Sequence, residues 1–424
     1  MNAEKINKTN ESNVSGYSKS FPTTFKYAKN DILIDDQDVE YLDFFSGAGA
    51  LNYGHNNDIL KQEIIDFIQS DSPIHCLDMD TVMKLKFLNK FNEVILEPRN
   101  LNYKIQFPSP SGTNAVEAAI KLARKVTKRK KILSFTNSFH GMTATSLALS
   151  GSQEAKHSDI PSQDILFFPF DGFLGTDIDT MEYISKMVVT KGSGNDLPAA
   201  IILETIQAEG GIKIASVEWL KKIQHFANEN GILLIVDDIQ VGCGRTGNFF
   251  SFERAGITPD IVLLSKSISG FGLPLSLILM KPELDIWKPG EHNGTFRANN
   301  LALCGATKAL DYWTNPTFSN MIKNKAKIIE TKLLTILKNA EAVVAVRGLG
   351  MIWGIEFESG EQASKVSRTL FEQGMIIETC GNTGQVVKLL SALTITEENL
   401  EKGLDKLEQV IYTLKEKNFQ SSYN

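Results

Sequence analysis

The spacing of apolar positions along this chain switches repeatedly between the periods of a strand and of a helix, and each switch marks an element. Residues 31–44 (DILIDDQDVEYLDF) read as strand–turn–strand, with the polar turn DDQD between two runs of alternating character. Residues 58–70 and 79–92 carry helical spacing, with Leu85, Leu88 and Phe91 on one face. A short strand is predicted at 103–107. From Ala115 the apolar residues fall at Val116, Ala119, Ile120 and Ala123, one face of a helix. Strands follow at 131–135 and 199–204, separated by a polar, irregular stretch (151–198) with one helical segment. A helix over 217–230, with Trp219, Leu220, Ile223 and Phe226 on its apolar face, leads to the two sharpest runs in the chain, ILLIVDD (232–238) and DIVLLSK (260–266). A further apolar strand spans 273–280, and a helix begins at 301. Apolar runs bounded by turn residues suit strands covered on both faces of a parallel sheet, and the strand–helix–strand order predicts right-handed βαβ connections. Beyond 313 the pattern gives a long helix (319–340), strands within 343–357 and 374–390, and a closing helix (396–415). The expected fold class is α/β, a large domain with a smaller α+β domain. Residues up to Ser15 read as a frayed tail.

The two sharp runs also end in chemistry. The first delivers Asp237 and Asp238, the second Lys266. Ligands of open α/β sheets sit beyond the carboxyl ends of such strands. An amine and a carboxylate at that rim match an aldehyde cofactor with a protonated pyridine ring: the amine condenses with the aldehyde and the carboxylate faces the ring nitrogen. Ser111-Gly112-Thr113-Asn114 precedes the helical pattern from Ala115. It is either an ordinary cap or a phosphate site built from free N–H groups and the helix dipole. Phe139-His140-Gly141, after the strand 131–135, is either packing or a stacking face for a flat ring. The loop FFSGAGALNYGH (44–55), with Gly47, Gly49 and Gly54, is either a tight turn or a close backbone approach to a ligand. GEHNGTFRANN (290–300) is too rich in special residues for a plain connector.

Composition narrows the class further. At 424 residues, 42% hydrophobic and 22% charged, the chain is long enough for large cores and ordinary enough to be globular. A net charge of −6 gives no electrostatic reason to expect nucleic acid or an anionic membrane as partner. Cys76, Cys243, Cys304 and Cys380 are widely spaced, and the six histidines form no H-E-x-x-H pattern, so neither a disulfide framework nor a metal site is expected. No apolar stretch approaches a membrane span, and the polar N-terminus lacks a signal-peptide core. A cytoplasmic protein is the expectation.

Five motifs, in order along the chain, now carry a resemblance. Ser111–Ala119 matches S-G-(S/T)-x-A-x-E-x-A. Phe139-His140-Gly141 matches an aromatic-His-Gly. Glu204–Gly211 matches E-x-(I/V)-Q-x-E-G-G. Asp237–Gly247 matches D-E-x-Q-x-G-x-G-R-T-G, with Asp238 where glutamate is commoner, and Leu264-Ser265-Lys266 matches the lysine strand. The chain resembles the class III (ω-type) pyridoxal-phosphate aminotransferases over nearly its whole length. FFSGAGALNYGHNN, FPSPSGTNAVEAAIKLARKVT, DDIQVGCGRTGNFFSFERAGI and WKPGEHNGTFRANN are similar to the diaminobutyrate–2-oxoglutarate members of that family.

The resemblance implies fold type I: a large domain with a mostly parallel seven-stranded sheet between helices, over 76–315, and a small domain assembled from 1–75 and 316–424. It implies pyridoxal 5'-phosphate as cofactor, attached to Lys266. Asp237 faces the ring nitrogen, Gln240 the ring hydroxyl and Phe139 the ring face. Ser111, Gly112 and Thr113 hold the phosphate, helped by Thr295 of a neighbouring subunit, so a homodimer or a higher homo-oligomer is expected. His140, counted with the cofactor-binding residues, and Arg245 are each either structural or supporting residues behind the site. The implied substrates are small amino and keto acids: L-glutamate with L-aspartate 4-semialdehyde, giving 2-oxoglutarate and L-2,4-diaminobutyrate for ectoine, siderophore or peptide synthesis. Another ω-amine (GABA, ornithine or a polyamine) or an aminomutase reaction is the alternative. Glu209, Lys388 and Tyr53 are the substrate-binding candidates. The family pattern R-L-x-P-x-L-T reads here Lys388-Leu-Leu-Ser-Ala-Leu-Thr394. An ammonium thus replaces a planar fork, and either Lys388 grips a carboxylate more loosely or another group does so.

Overall fold

The computed structural model of the chain describes residues 11–152 and 162–420, with side chains as far as Thr413. Residues 1–10 of the expected tail, and 153–161 of the expected irregular stretch, lie outside the described residues.

Seven strands form the central sheet: β1 (Lys104–Gln106), β2 (Ile132–Phe135), β3 (Ile165–Phe168), β4 (Ala200–Leu203), β5 (Leu233–Asp237), β6 (Ile261–Leu264) and β7 (Leu277–Met280). Their order is β1-β7-β6-β5-β4-β2-β3. Only β7 runs against its neighbours, pairing antiparallel with both β6 and β1. The sheet is therefore mostly parallel, as expected, and it is covered on both faces. Every residue of β2, β4, β6 and β7 is buried. Alternation along β5 sends Leu234 and Val236 to one apolar core and Ile235 to another. Helix α1 (Gly112–Thr127) supplies Val116, Ala119, Ile120 and Ala123 to the second core, and helix α2 (Val217–Glu229) supplies Trp219, Leu220 and Ile223 to the first.

Two smaller sheets flank this one. Strands Phe25–Lys29, Ile32–Asp35 and Glu40–Asp43 form an antiparallel meander, and Met375–Ile376 adds to it in parallel through Leu42 and Asp43. Early and late segments of the chain are thus joined in one sheet. The other sheet orders Val343–Leu349, Ile352–Phe357, Val386–Leu389 and Glu378–Cys380. Gly350 makes its hairpin turn at φ +62°, where a Cβ would stand 2.4 Å from the Arg245 carbonyl.

Three readings of the pattern are corrected. Strand β3 lies inside the stretch expected to be irregular. It is the edge of the sheet, with Phe167 exposed, so it shows no clean alternation. Residues 374–390 are not one strand but three short pieces, broken at Ile377 and again over 381–385, where Gly381 and Gly384 take positive φ. Between the two strand regions stands an unpredicted helix, Gly360–Glu372, capped by Ser359 and held by the buried Ala363, Val366 and Leu370, with Phe371 packed on Phe21 and Tyr41. Among the described residues, no helix is long and apolar enough to cross a membrane.

Candidate active site

Strands β5 and β6 are parallel neighbours, with Asp237 paired to Leu263, so their ends open on the same rim. Just past β6, Lys266 starts a 3₁₀ turn at φ +52°, and the residue is half-buried with its side chain turned inward. Its Nζ donates to the Ala48 carbonyl at 2.9 Å. That carbonyl also accepts from Gln240 Nε2 at 3.0 Å. The Gly47–Ala48 backbone, at φ +57° and +55°, thus passes directly over the site, so the glycine-rich loop is a close approach rather than a plain turn. Asp237 is 5% exposed. Its Oδ1 accepts from the Ile239 N–H at 3.2 Å, and its Oδ2 lies 2.7 Å from His140 Nδ1. A carboxylate beside an imidazole accepts, so Nδ1 carries the proton. His140 Nε2 is buried without a partner among the described residues.

These groups share one cavity of about 620 Å³, whose lining includes Gly112, Thr113, Phe139, His140, Glu209, Asp237, Gln240 and Lys266. The Gly112 and Thr113 N–H groups begin α1, where no preceding helical carbonyl can bond them. Ser111 does not line this cavity: its N–H and hydroxyl both donate to Asn114 Oδ1, at 3.2 and 2.5 Å, closing the helix end. Thr113 Oγ1 lies 2.6 Å from the hydroxyls of both Thr143 and Ser146, which fixes its rotamer. Beyond the expected set, Glu204 also lines the cavity. It accepts from the Phe139 N–H at 3.0 Å, and burial together with the nearby Asp237 charge pushes its carboxyl well above the usual range.

Burial sets most of the electrostatics. It lowers the Lys266 ammonium to about 8, against the pull of nearby carboxylates. It raises Asp238 to about 7. Asp238 Oδ2 accepts from the Ser251 N–H, a structural contact behind the site. Lys388 is fully buried, yet its ammonium is held above the usual range by Glu209 Oε1 at 2.6 Å and Glu378 Oε1 at 2.8 Å. Glu209 also accepts from Gln240 Nε2 at 2.9 Å, and the Lys388 and Lys266 charges outweigh burial to hold it below the usual carboxylate range.

Tyr53 and Thr295, like Ser111, lie outside this lining. Tyr53 is in the core: it is 2% exposed, its ring stacks on Phe318, and its phenol accepts from Trp313 Nε1 at 2.9 Å. It therefore cannot touch a substrate in this cavity. Thr295 is exposed on the 290–300 loop, away from the lining of its own chain's cavity, with its carbonyl 2.7 Å from His75 Nε2. Arg245 is fully buried. It donates to the carbonyls of Met351 and Ser391 and to Asn52 Oδ1, a structural role.

The family profile "Aminotransferase class-III" matches residues 14–411. A protein of Sporosarcina pasteurii named diaminobutyrate–2-oxoglutarate transaminase is 51% identical over 412 residues, 96% of each chain. A Bordetella parapertussis protein of the same name is 50% identical over 94% of this chain and 92% of its own. An uncharacterised aminotransferase of Sinorhizobium fredii is 51% identical over 95% of this chain and 90% of its own. Among solved structures, a transaminase from the marine bacterium Virgibacillus superposes with a TM-score of 0.87 at 19% identity, covering 97% of this chain and 98% of its own. The ornithine aminotransferase of Toxoplasma gondii does so with 0.83 at 22%, covering 97% and 94%. At these identities the structural likeness concerns the fold.

Proposed function

The chain belongs to the class-III aminotransferases, and on that premise we propose that it interconverts L-aspartate 4-semialdehyde and L-glutamate with L-2,4-diaminobutyrate and 2-oxoglutarate. The observation that carries the substrate assignment is the 51% identity, across 96% of both chains, to a relative bearing that activity in its name. The fold is that of the fold type I pyridoxal-phosphate enzymes, and pyridoxal 5'-phosphate is the cofactor. When bound, it supplies an aldehyde that condenses with amines and a pyridinium ring that accepts electrons.

The residues of the cavity fit that group. A half-buried amine with a lowered pKa, Lys266, shares the cavity with a buried carboxylate, Asp237. Unbonded helix N–H groups at Gly112 and Thr113 suit its phosphate dianion, with Ser111 closing the helix end. In this reading Lys266 attaches the cofactor and moves a proton at its Nζ. Asp237 Oδ holds the ring-nitrogen proton, with His140 orienting the carboxylate. Phe139 would cover the ring face and Gln240 would bond the ring hydroxyl. Glu209 neutralises Lys388 for one substrate and swings away for the other, leaving Lys388 or another group to bind the α-carboxylate. The large domain is taken as 76–315, with 1–75 and 316–424 forming the small one.

An amino-donor screen with 2-oxoglutarate tests the substrate assignment. L-2,4-diaminobutyrate is expected among the best donors when set against ornithine, 4-aminobutyrate and putrescine. If it ranks behind them, the assignment fails. Turnover without consumption of the keto acid points instead to an aminomutase.

The same reading calls for a homodimer, with Thr295 reaching the partner's phosphate site. The exposure of Thr295, beside a 63% exposed Phe296, supports it. Sedimentation at working concentration is expected to give at least two subunits. A fully active single chain would contradict the shared site.

A further inference from the structure

Lys388 and Glu378 are a directly opposed cross-strand pair in the antiparallel ladder between Glu378–Cys380 and Val386–Leu389. On its other side Lys388 faces Gly354, which has no side chain. The register therefore puts the Glu378 carboxylate and the Lys388 ammonium on one face of the sheet. Glu209 reaches the same ammonium from outside the sheet. Two carboxylates share the Lys388 ammonium, and the other cation that acts on them, Lys266, is the amine given over to the cofactor, which leaves the buried cluster one cation short. Burying such a charge is costly unless another cation completes it.

The unpaired capacity is on Glu378. Its side chain is only 10% exposed, and Oε1 lies 2.8 Å from Lys388 Nζ. Beyond that ammonium, Oε1 has no hydrogen-bond partner among the described residues. Oε2 has only the Tyr17 hydroxyl, at 3.5 Å. Burial holds the Glu378 carboxyl above its usual range despite the ammonium beside it, as expected of a carboxylate short of partners. Glu378 and Glu209 line a second cavity of about 1020 Å³, with Arg368 and Lys19 exposed at its rim. Glu209 also lines the Lys266 cavity, so the two spaces meet at that residue. A substrate with its reacting amine at Lys266 would extend past Glu209 toward Glu378.

We propose that Glu378 is a specificity-determining residue that binds the ammonium group left unreacted on a diamino acid, the 2-amino group of L-2,4-diaminobutyrate. This rests on the diaminobutyrate reading above. The chemistry favours a diamino acid over a simple ω-amino acid. 4-Aminobutyrate has the same reacting end but a hydrogen where the second ammonium stands, so it leaves the excess charge unanswered. The carboxylate on the same carbon as the ammonium has Arg368 and Lys19 on the rim side.

The test is a substrate-by-variant cycle. kcat/KM is measured for L-2,4-diaminobutyrate, for 4-amino-2-hydroxybutyrate (a neutral hydroxyl for the ammonium) and for 4-aminobutyrate, in the wild-type holoenzyme and in Glu378→Gln. The wild type is expected to prefer the diamino acid over the hydroxy analogue by roughly tenfold or more, the scale of one charge-assisted hydrogen bond. Most of that preference should lie in KM, because the group does not react. In Glu378→Gln the preference should collapse toward unity, and Glu378→Asp should restore part of it. If the wild type prefers diaminobutyrate and Glu378→Gln keeps the same ratio, even at lower absolute rates, Glu378 is structural and the inference falls alone. If the wild type does not use diaminobutyrate, the proposed function falls and takes the inference with it. Should Glu378→Gln fail to fold, equal kcat/KM for the diamino and hydroxy substrates in the wild type still overturns the assignment.

Discussion

Replacing Lys266 by alanine is expected to abolish covalent retention of the cofactor and to cut turnover by on the order of 10⁴-fold or more, the scale of losing an amine that both attaches and moves protons. After borohydride reduction the wild-type chain should carry the cofactor mass, and the variant should not. Retained mass in the variant would refute the assignment. The argument is electrostatic. Burial disfavours the ammonium form, and the nearby carboxylates only partly offset this, leaving Lys266 at about 8. At pH 7 its neutral, nucleophilic fraction is then about 300-fold larger than for a lysine at its ordinary value. The sign is checkable. Attachment of added cofactor to the apoprotein should speed up as pH rises and level off above about 8, whereas an ordinary lysine would keep gaining toward 10.5.

Why the lysine was legible in the sequence, and parts of its surroundings were not, follows from how far apart the partners lie. A strand buried on both faces must be apolar throughout, so the residue where it breaks into polarity is visible. Asp237 and Lys266 are two such breaks, and their strands are neighbours in the sheet. Helix α1 announced itself by its apolar face, and with it the Gly112–Thr113 end. Edge strand β3 and helix Gly360–Glu372 were less visible: β3 exposes Phe167, and the helix's apolar contacts, Ala363, Val366, Leu370 and Phe371, stand among polar residues.

The substrate end was less legible still. The Ala48 carbonyl that receives both Lys266 and Gln240 belongs to the backbone, and no residue type signals it. Tyr53 sits in a loop whose glycines do mark a close approach, but its own partners, Trp313 and Phe318, come from far along the chain. The Glu378–Lys388 pairing depends on a register set across a break at Gly381 and Gly384. Lys388 was recognisable as a departure from a motif. That it stands between two carboxylates is a property of the folded sheet alone.

Asp237→Asn is the second large expected loss, about 10²- to 10³-fold in kcat, the range for removing one preorganised charged partner from a transition state. The amide keeps the size of the side chain and can still face His140, whose Nδ1 lies 2.7 Å from Oδ2 in the wild type. What it cannot do is hold a proton on a ring nitrogen, because it carries no charge. Cofactor retention after borohydride reduction should therefore persist, which separates this variant from Lys266→Ala. KM for the amino donor should change far less than kcat, since the lost interaction is made in the transition state. His140→Ala should cost less, because His140 acts through Asp237, whose Oδ1 keeps its bond from the Ile239 N–H. The discriminating measurement is reconstitution of Asp237→Asn with a cofactor analogue methylated on the ring nitrogen, which carries a fixed positive charge. If Asp237 serves to keep that nitrogen charged, the analogue should recover a substantial part of the lost rate. If the analogue binds as tightly as the normal cofactor and recovers nothing, Asp237 acts by packing and by orienting His140, and the electronic role assigned to the end of β5 is wrong.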